Sequence, residues 1–535
     1  MTDGISKRLQ LRVRDPADCR IWLPGNRDRS PRHRICVGLV AAAFLSAIGG
    51  LAVAAEPPRF GELPAILAHP DQAAMVRGDI GRDQIIAHGR LLFSARFNTL
   101  DGQGRPGSTG TGAMRVASEP AFTRVSGPTS VSCAGCHIIP RVGGAGDFVA
   151  NAFTSAEAMD PVALFAAPEF GNERNTLGLH GSGPIEMLAR EMTAELIAIR
   201  NQAREKALQR VAQGEDPLAA EESRDLVAKG IRFGTIKVRG DGKVDPTGIA
   251  GVDWDLIIKP FGQKGTAVSI RELSNRALNN HHGMQSVERF GEGVDADGDG
   301  VVDEINLGDL TALALYQAAF ATPGQALPAH PEAARAVEAG TGLFSKIGCS
   351  ECHVPQMELN DRYFREPNPF NPPGTAAPDD VGGSISFDMT QQGEKPRLER
   401  NAAEGAIVRA FTDLKRHDLN DADYHFFANE LLPEGTRLGY ATADDFYNVR
   451  GAIERSTRDF ITRKLWDVGN SDPYGHRGDL TMMTEAIYFH GGEARESRDA
   501  FFALPEAERN AVIEFLRSLR LLEPGSALVT DPRKE

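Results

Sequence analysis

A five-residue pattern, Cys-x-x-Cys-His, occurs twice in this chain of 535 residues, at 133–137 and again at 349–353. Two thiols one helical turn apart can each form a thioether with a vinyl group of one haem, and the next histidine can bind its iron. A Cys-x-x-Cys pair alone would also fit a redox dithiol or half of a zinc site. The histidine at the same position in both copies favours the attachment signature of c-type haem. The sequence therefore predicts two covalent haems, attached to Cys133, Cys136, Cys349 and Cys352, with His137 and His353 as proximal iron ligands.

The first 55 residues have the organisation of a secretory signal peptide. Residues 1–34 carry nine Lys or Arg and four Asp or Glu, and an apolar run then extends from Ile35 to Leu51. The run ends in Ala52-Val53-Ala54-Ala55, which has the small residues of a cleavage signal. An uncleaved anchor is the alternative, since about 20 apolar residues can span a bilayer. We expect cleavage and export to the periplasm, with no stable membrane insertion of the mature chain.

Removal of this segment changes both the cysteine count and the charge of the chain. Cys19 and Cys36 leave with it, so the remaining cysteines are those of the two haem motifs. The net charge of the whole chain is −14; the segment itself carries +5, which leaves −19. So acidic a chain disfavours nucleic acid and anionic membranes as partners, and it would attract a basic donor protein.

Each haem motif is preceded by a similar segment inside a predicted helix. Gly89-Arg90-Leu91-Leu92-Phe93 lies in a predicted helix over 82–94, and Gly340-Thr341-Gly342-Leu343-Phe344 lies in one over 331–345. Apolar residues three and four apart predict a closing helix in each half, near 310–320 and 512–519. These are the parts of a small cytochrome c domain. The sequence therefore predicts a mainly α fold with two haem domains, 56–325 and 326–535.

The long connections between these parts predict insertions into both domains. The stretch 184–213 is rich in Glu, Arg, Leu and Ala, which predicts an added helix. Residues 101–107 and the proline-rich stretch 365–383 predict loops, and short strands are expected near 231–244. The expected architecture is two cytochrome c-like domains with long loop and helical insertions.

Further stretches resemble the bacterial di-haem cytochrome c peroxidase superfamily, particularly its large di-haem oxidoreductase branch. The two haem motifs carry most of the resemblance. The supporting stretches are Pro260-Phe261-Gly262, Leu278-Asn279-Asn280-His281-His282-Gly283-Met284-Gln285, Gly308-Asp309-Leu310-Thr311-Ala312-Leu313, Thr412-Asp413-Leu414-Lys415-Arg416-His417-Asp418, Leu465-Trp466 and Pro473-Tyr474-Gly475-His476-Arg477-Gly478. Rubber oxygenases and the methylamine dehydrogenase maturation enzyme belong to the same broader group. The resemblance therefore implies haem redox chemistry without fixing the substrate.

Three forms of activity fit this resemblance. A peroxidase would take electrons from a small cytochrome or cupredoxin and reduce hydrogen peroxide at the N-terminal haem. An oxygenase or oxidase would use the same haem pair, with dioxygen, on an organic or protein substrate. A pure electron carrier would need two six-coordinate haems, and the large added segments argue against it. We expect a periplasmic oxidoreductase that reduces peroxide, with the oxygenase or oxidase as the alternative.

The second axial ligand of each haem decides what that haem can do. In the peroxidases, the histidine of a Pro-Tyr-x-His motif precedes the distal ligand of the second haem by about fourteen residues, and the same count from His476 reaches His490. The family usually has methionine there, so His490 departs from it, and Met482 and Met483 are the alternatives nearby. For the first haem the sequence offers several distal or active-site candidates, with the glutamates as acid–base groups: His180, His281, His282, Met284, Glu186 and Glu173.

Two further roles follow from the resemblance and from one acidic loop. In the family a tryptophan between the haems can relay electrons, and Trp254 is the candidate here, with a buried core tryptophan as the ordinary alternative. Residues 295–300 read Asp-Ala-Asp-Gly-Asp-Gly, which resembles a calcium-binding loop. An acidic turn without metal is the alternative, because position 12 is Asn306 rather than glutamate. The predicted calcium ligands are Asp295, Asp297, Asp299 and Asp303.

Overall fold

The helices follow the apolar spacing of the sequence. This computed structural model describes residues 61–104, 129–152, 171–421 and 459–534. In chain order, the α-helices in these ranges are α1 (Gln72–Arg77), α2 (Arg82–Ser94), α3 (Cys133–Cys136), α4 (Ser182–Ala212), α5 (Ile270–Ala277), α6 (Val287–Phe290), α7 (Leu307–Ala318), α8 (Pro331–Lys346), α9 (Met483–Tyr488), α10 (Arg495–Ala503) and α11 (Glu506–Ser518). The predicted signal peptide, with Cys19 and Cys36, lies outside the described residues, as does the end of the predicted loop 101–107.

The same pair of packed helices occurs in each half of the chain. Helix α2 packs against α7, and α8 packs against α11. A methyl group at Gly89 of α2 would lie 2.0 Å from the Ala312 carbonyl oxygen, and one at Gly340 of α8 would lie 2.0 Å from the Ala511 carbonyl oxygen. Glycine at both positions therefore lets the backbones of the paired helices approach closely. The predicted helices over 82–94 and 331–345 are confirmed.

An aromatic residue follows each of these glycines by four positions and packs toward a haem motif. The rings of Phe93 and Tyr316 have centroids 5.6 Å apart, and those of Phe344 and Phe515 are 5.3 Å apart. Residues four apart lie on the same side of a helix, so glycine and phenylalanine act together at each helix crossing. This internal repeat is the structural counterpart of the two similar sequence segments. The predicted domain limits of 56–325 and 326–535 stay a prediction, since residues 60–535 form one unit.

Substituting alanine at Gly89 or at Gly340 is expected to destabilise the protein. The added methyl group overlaps backbone atoms, which cannot move aside as a side chain can, so each change should cost about 1–3 kcal/mol of unfolding free energy. Urea unfolding of each variant measures the loss. Gly342→Ala is the matched control, because it lies in the same helix with open space around its Cβ position. That control should gain roughly 0.5–1 kcal/mol, and an equal loss in all three variants would contradict the close helix crossings.

Strands are more numerous than the sequence predicted. Helix makes up 37% and strand 16% of the described structure. The strands form six sheets of two or three strands each in the described residues. They are β1 (Gly146–Ala152), β2 (Gly171–Thr176), β3 (Glu221–Ala228), β4 (Ile231–Arg239), β5 (Val244–Asp245), β6 (Gly324–Ala326), β7 (Met357–Leu359), β8 (Tyr363–Glu366), β9 (Ile385–Asp388), β10 (Glu399–Arg400), β11 (Ala406–Val408), β12 (Arg416–Asp418), β13 (Asp459–Ile461), β14 (Leu519–Arg520) and β15 (Val529–Thr530). A mainly α class is therefore only part of the description.

The predicted helical insertion packs against strands and against α7 of the first helix pair. Helix α4 covers the stretch predicted over 184–213 and packs against the antiparallel strands β3 and β4, with β5 on the other side of β4. The proline-rich stretch 365–383 contains the end of β8 and one short 3₁₀ turn, Pro378–Val381, and is otherwise a loop. A large hydrophobic core joins these elements, and a smaller one surrounds α8 and α11. Among the described residues, no helix is both long enough and apolar enough to cross a bilayer.

Candidate functional site

The first Cys-x-x-Cys-His motif forms a single helical turn that ends at its histidine. The His137 backbone N–H donates to the Cys133 carbonyl at 3.0 Å, which places both thiols and the imidazole beside one another. His137 Nδ1 lies 3.3 Å from the Gly144 carbonyl oxygen, so this nitrogen must be the donor. Burial lowers the pKa of His137 to about 4. The imidazole is therefore neutral, and its Nε2 carries the lone pair that an iron ligand needs.

The second motif repeats this arrangement with a different backbone. Gly348 has a φ of 89° and starts the 3₁₀ turn Cys349–Glu351. The His353 backbone N–H donates to the Cys349 carbonyl at 3.0 Å, and His353 Nδ1 lies 3.0 Å from the Phe411 carbonyl oxygen. Burial, and then the nearby His490, lower the pKa of His353 to about 4. In both motif histidines a hydrogen bond from Nδ1 to a backbone carbonyl fixes the tautomer and the orientation of the ring. This is the arrangement that an axial ligand has.

Each motif lies in the wall of its own cavity. The N-terminal cavity, of about 470 Å³, is lined by Phe93, Cys133, Cys136 and His137 among others. The C-terminal cavity, of about 290 Å³, is lined by residues that include Cys349, Cys352 and His353. Both walls are largely apolar, and both volumes are close to the range of cofactor sites, about 300–1,000 Å³. Two thiols and a neutral imidazole on one wall of an apolar cavity are the donor set that c-type haem requires, so the residues fit this group.

The two cavities adjoin across a thin layer of side chains. Five residues line both of them: Asn175, Thr176, Leu177, Gln263 and His476. In this layer the Asn175 backbone N–H donates to the His476 carbonyl at 3.1 Å, and His476 Nδ1 lies 2.7 Å from Gln263 Oε1. Of these residues, the sequence indicated His476, because it belongs to the Pro-Tyr-Gly-His stretch. Asn175 and Gln263 were missed, because nothing in the sequence brings positions so far apart together.

His490 lines the C-terminal cavity together with His353. His490 Nδ1 lies 2.6 Å from the Ala486 carbonyl oxygen, and burial lowers the pKa of this imidazole. It therefore has the same neutral state and carbonyl bond as the two motif histidines. Of the alternatives, Met483 also lines the cavity, whereas Met482 is 56% exposed on the surface. The structure thus brings the predicted distal ligand and the proximal histidine to one cavity.

His417 also lines the C-terminal cavity. The sequence indicated this residue only as part of a stretch that resembles the family. Its ring nitrogens lie 2.9 Å from Asp413 Oδ2 and 2.7 Å from Glu493 Oε2. Burial lowers its pKa, but bonds to Asp413, Cys352 and Glu493 outweigh that effect and raise the pKa to about 11. A protonated His417 therefore places a positive charge in the cavity wall. The ligand atoms of Cys352, Asp413 and His417 lie within 4.8 Å of one another, a donor set that could also hold zinc.

In the N-terminal cavity, His281 and His282 line the wall within the π-helical turn Leu278–His282. His282 Nδ1 lies 2.7 Å from the Ser130 carbonyl oxygen, and its Nε2 lies 3.6 Å from Cys133 Sγ. His281 Nδ1 lies 3.1 Å from Thr129 Oγ1. Both histidines therefore contact the segment that leads into the first motif. Met284, the third candidate of this group, is buried in the hydrophobic core and lines neither cavity.

The other candidates of the first half lie away from both cavities. The ring nitrogens of His180 lie 3.1 Å from the Val142 carbonyl oxygen and 3.3 Å from that of Ala321. Glu186 accepts from the Ile270 N–H at 2.8 Å and from Asn368 Nδ2 at 2.9 Å, and burial raises its pKa to about 7. These contacts tie α4 to its neighbours, which is a structural task. The side chain of Glu173 lies outside the described residues.

Neither tryptophan of the described residues lines either of the two motif cavities. Trp254, the predicted relay, is half-buried in a loop between two aspartates. Trp466 is 1% exposed, and a methyl group at Gly181 would lie 2.0 Å from its ring. The layer that the structure places between the cavities contains Gln263 and His476 instead.

The acidic loop brings together three of its four predicted calcium ligands. One carboxylate oxygen from each of Asp295, Asp297 and Asp299 lies within 4.8 Å of the others. Burial, and then the charges of the other two aspartates, raise the pKa of Asp297 to about 7. Asp303 is not in this group, since its Oδ1 accepts from the Gly293 N–H at 2.7 Å. The next residue, Glu304, is bonded instead to the Gln285 side chain, which also donates to Asp297.

Comparison with known proteins gives a family match over part of the chain and several structural neighbours. Residues 427–519 match the family described as "Di-haem oxidoreductase, putative peroxidase". Hydrazine synthase from Kuenenia stuttgartiensis, pressurised with xenon, aligns at 13% identity over 89% of this chain and 100% of its own, with a TM-score of 0.30. A MauG-like protein associated with microbial copper homeostasis aligns at 16% identity over 56% of this chain and 81% of its own, with a TM-score of 0.24. Comparison with curated proteins finds no match.

The family match supports the di-haem superfamily that the two motifs indicate, and it supports an oxidoreductase. The matched stretch contains His476 and His490 but neither Cys-x-x-Cys-His motif, so the two lines of observation are independent. The identities and TM-scores of the two structural neighbours are too low to carry an inference about this chain.

Proposed function

We propose that this protein is an exported di-haem c-type oxidoreductase that reduces hydrogen peroxide at the N-terminal cavity with electrons received at the C-terminal cavity. The observation that carries the proposal is the pair of adjoining cavities, each with one Cys-x-x-Cys-His motif in its wall. Cys133 and Cys136 would hold one haem and Cys349 and Cys352 the other, with His137 and His353 as the proximal ligands. Bound haem would supply the one-electron iron chemistry that peroxide reduction needs.

The two cavities differ in a way that assigns them different tasks. The C-terminal cavity has His490 as well as His353 in its wall. A second imidazole would leave no open iron position there and would favour a low reduction potential, which suits an electron store. In the N-terminal cavity, His282 Nε2 lies 3.6 Å from Cys133 Sγ, a thiol that would bind the edge of the haem rather than its iron. His282 would therefore lie at the haem edge and leave the iron position opposite His137 open to a small oxidant.

Polar side chains of the N-terminal cavity would orient that oxidant. Gln317 Nε2 donates to Ser274 Oγ at 2.7 Å, and both residues line the wall. Gln263 and His476 add a second hydrogen-bonded pair on the side of the C-terminal cavity. Polar groups of this kind, set in an otherwise apolar wall, fix the orientation of a small polar substrate. The layer shared by the cavities also gives electrons a short route between the two sites, and Trp254 is not needed for it.

The donor and the compartment follow from the charge and the leader. A net charge of −14 favours a basic donor, so a small cytochrome or cupredoxin with a basic face would be steered to this surface. Attachment of c-type haem fits export through the predicted signal peptide, and the periplasm is the proposed location.

Peroxide turnover tests the proposal. Purified protein is mixed with a reduced small cytochrome and hydrogen peroxide, with and without prior reduction of the centre at the C-terminal cavity. We expect the wild-type protein to turn over peroxide and the His137→Ala variant to lose this activity, because His137 would be the proximal ligand of the haem at the N-terminal cavity. His180→Ala is the matched control, since this buried histidine lines neither cavity, and it should retain turnover. Absence of peroxide turnover, together with consumption of dioxygen in the presence of an organic or protein substrate, would favour the oxygenase or oxidase instead.

We also propose that the acidic loop binds calcium through Asp295, Asp297 and Asp299. A ligand that binds only the folded state raises its stability, by about 2.7 kcal/mol at a hundred times its dissociation constant. Calcium should therefore raise the melting temperature, and a chelator should reverse the effect. Asp297→Asn should abolish the calcium effect, while Asp303→Asn, outside the carboxylate group, should retain it. An equal calcium effect in the wild type and in both variants would remove the loop as the site.

A further inference from the structure

A third cavity, of about 790 Å³, is lined by four arginines: Arg82, Arg90, Arg141 and Arg397. We call it the arginine cavity. Arg82, Ile86, Arg90 and Ser94 follow one another at intervals of four along α2, so they share one face of that helix. Arg141 comes from the segment after the first haem motif, and Arg397 from the loop before β10. Three distant parts of an acidic chain thus bring four positive charges to one concave site.

Two of the arginines are held by backbone carbonyls. Arg141 Nη1 donates to the Leu522 carbonyl at 2.6 Å, and Arg397 donates from Nε and Nη2 to the Gly393 carbonyl at 3.0 and 2.8 Å. Arg141 Nη2 lies 3.3 Å from Glu394 Oε1 but lacks the angles of a hydrogen bond, and Arg141 Nε is buried without a partner. The guanidinium of Arg141 is thereby fixed in place with donors left over.

The other two arginines have no partner within the described residues. Neither Arg82 nor Arg90 makes a hydrogen bond or ion pair there, and the Nε of Arg82 is buried. Two carboxylates also line the cavity, those of Asp83 and Glu394, so the lining has two more positive than negative charges. The chain as a whole has a net charge of −14, whereas this cavity has an excess of positive charge and buried donors without a hydrogen-bond partner. Buried donors are nearly always paired in folded proteins, so an external acceptor is expected here.

Aromatic side chains also line the arginine cavity. Tyr316, Phe320 and Phe387 line it, with Ile86 and Val142 beside them. A site that combines guanidinium groups with aromatic rings matches a molecule that is anionic at one end and apolar at the other. Guanidinium binds carboxylate through two parallel hydrogen bonds, which gives both strength and orientation.

We propose that the arginine cavity binds a small organic carboxylate with a flat apolar body. The carboxylate would lie against Arg82, Arg90 and Arg141, and the apolar body against the rings of Tyr316, Phe320 and Phe387. The cavity volume is within the usual range for small-molecule sites, about 300–1,000 Å³.

This site is separate from the proposed peroxide site. The ring of Phe320 lies 5.7 Å from that of Phe93, and Phe93 lies 6.4 Å from His137, as centroid distances. Phe93 lines the N-terminal cavity and Phe320 lines the arginine cavity, so an aromatic layer divides them. A carboxylate bound against the arginines therefore cannot reach an iron at His137, and its binding should leave the axial ligation unchanged.

Calorimetric titration of the haem-loaded protein with benzoate tests the inference. Benzoate should bind saturably, and benzamide, its neutral counterpart, should not. The Arg82→Ala/Arg90→Ala variant should weaken benzoate binding by at least about tenfold, since a hydrogen bond to a charged group contributes roughly 1.5–3 kcal/mol. Arg232→Ala, which removes an arginine from an exposed strand, should leave it unchanged. If the double variant does not fold, the exposed Arg90→Ala alone should still weaken binding.

Three outcomes would overturn the inference. Equal benzoate affinity in the wild type and the arginine variants would exclude the cavity. Inorganic phosphate that binds as tightly as benzoate would exclude a role for the aromatic wall and leave a simple anion site. A change in the ferric haem absorption spectrum on benzoate binding would show that the carboxylate binds a haem iron instead. None of these results depends on peroxide turnover, so the proposed function is tested separately.

Discussion

Replacing Cys349 and Cys352 together by alanine is expected to remove one of two haems from the protein. Each thioether needs one thiol, and the Cys349–His353 turn is the second of two such sets in the chain. Intact-mass measurement should show two haems on the wild type and one on the variant, with about half of the haem absorbance lost. Cys133→Ala/Cys136→Ala is the reciprocal variant and should lose the other half.

A milder variant separates loss of attachment from loss of folding. Cys352→Ala alone leaves Cys349 to form one thioether, so the haem mass should remain on the chain. Zinc is the competing occupant, because Cys352, Asp413 and His417 form a compact donor set. Metal analysis that finds zinc, with a single haem in the wild-type protein, would contradict the di-haem account.

Replacing His490 by alanine should change the spin state of one haem. His490 and His353 line the same cavity, and each has Nδ1 beside a backbone carbonyl, at 2.6 and 3.0 Å respectively. Loss of a strong axial ligand converts low-spin ferric iron to high spin and raises its reduction potential. Axial ligands move haem potentials over a range of about 0.8 V, so a shift on the order of 0.1 V is expected. Electron paramagnetic resonance and redox titration measure the two effects.

Two further variants sharpen this test. His490→Met supplies a thioether, so the centre should stay low-spin while its potential rises, because thioether favours ferrous iron. His282→Ala lies in the other cavity and should leave this centre unchanged. If the electron paramagnetic resonance spectrum of His490→Ala is unaltered, another group binds the iron. Met483, which also lines the cavity, would then be the candidate.

Local patterns in the sequence predicted the parts of the site that depend on short distances along the chain. The two motifs, the helices that begin at Arg82 and Pro331, and the glycine and phenylalanine within each need only helical periodicity. His490 was predicted from the family resemblance, which supplied its spacing from His476, and the structure brings it to the cavity of His353.

Contacts between distant segments could not be read from the sequence. Asn175 and His476 meet between the cavities although about three hundred positions separate them. The short strands were missed because two to four residues are too few to show an alternating pattern. In the acidic loop, counting positions selected Asp303, but its φ of 54° and its bond to the Gly293 N–H keep its carboxylate out of the group.

The arginine cavity shows the same limit in another form. The spacing of Arg82 and Arg90 predicts one helix face, but nothing in the sequence places Arg141 and Arg397 in the same cavity. The relay predicted at Trp254 came from family resemblance alone, and the structure puts Gln263 and His476 between the cavities. Resemblance named the kind of residue, whereas packing decides which residue occupies the place.

The ferric resonance spectrum of the purified wild-type protein tests the central claim most directly. Two axial imidazoles at the C-terminal cavity, His353 and His490, and one at the N-terminal cavity, His137, would give equal amounts of a low-spin and a high-spin centre. Peroxide should then react at the high-spin centre, and His137→Ala should abolish that reaction while the low-spin signal persists. Two low-spin centres that peroxide leaves unchanged, or a single haem per chain, would contradict the account.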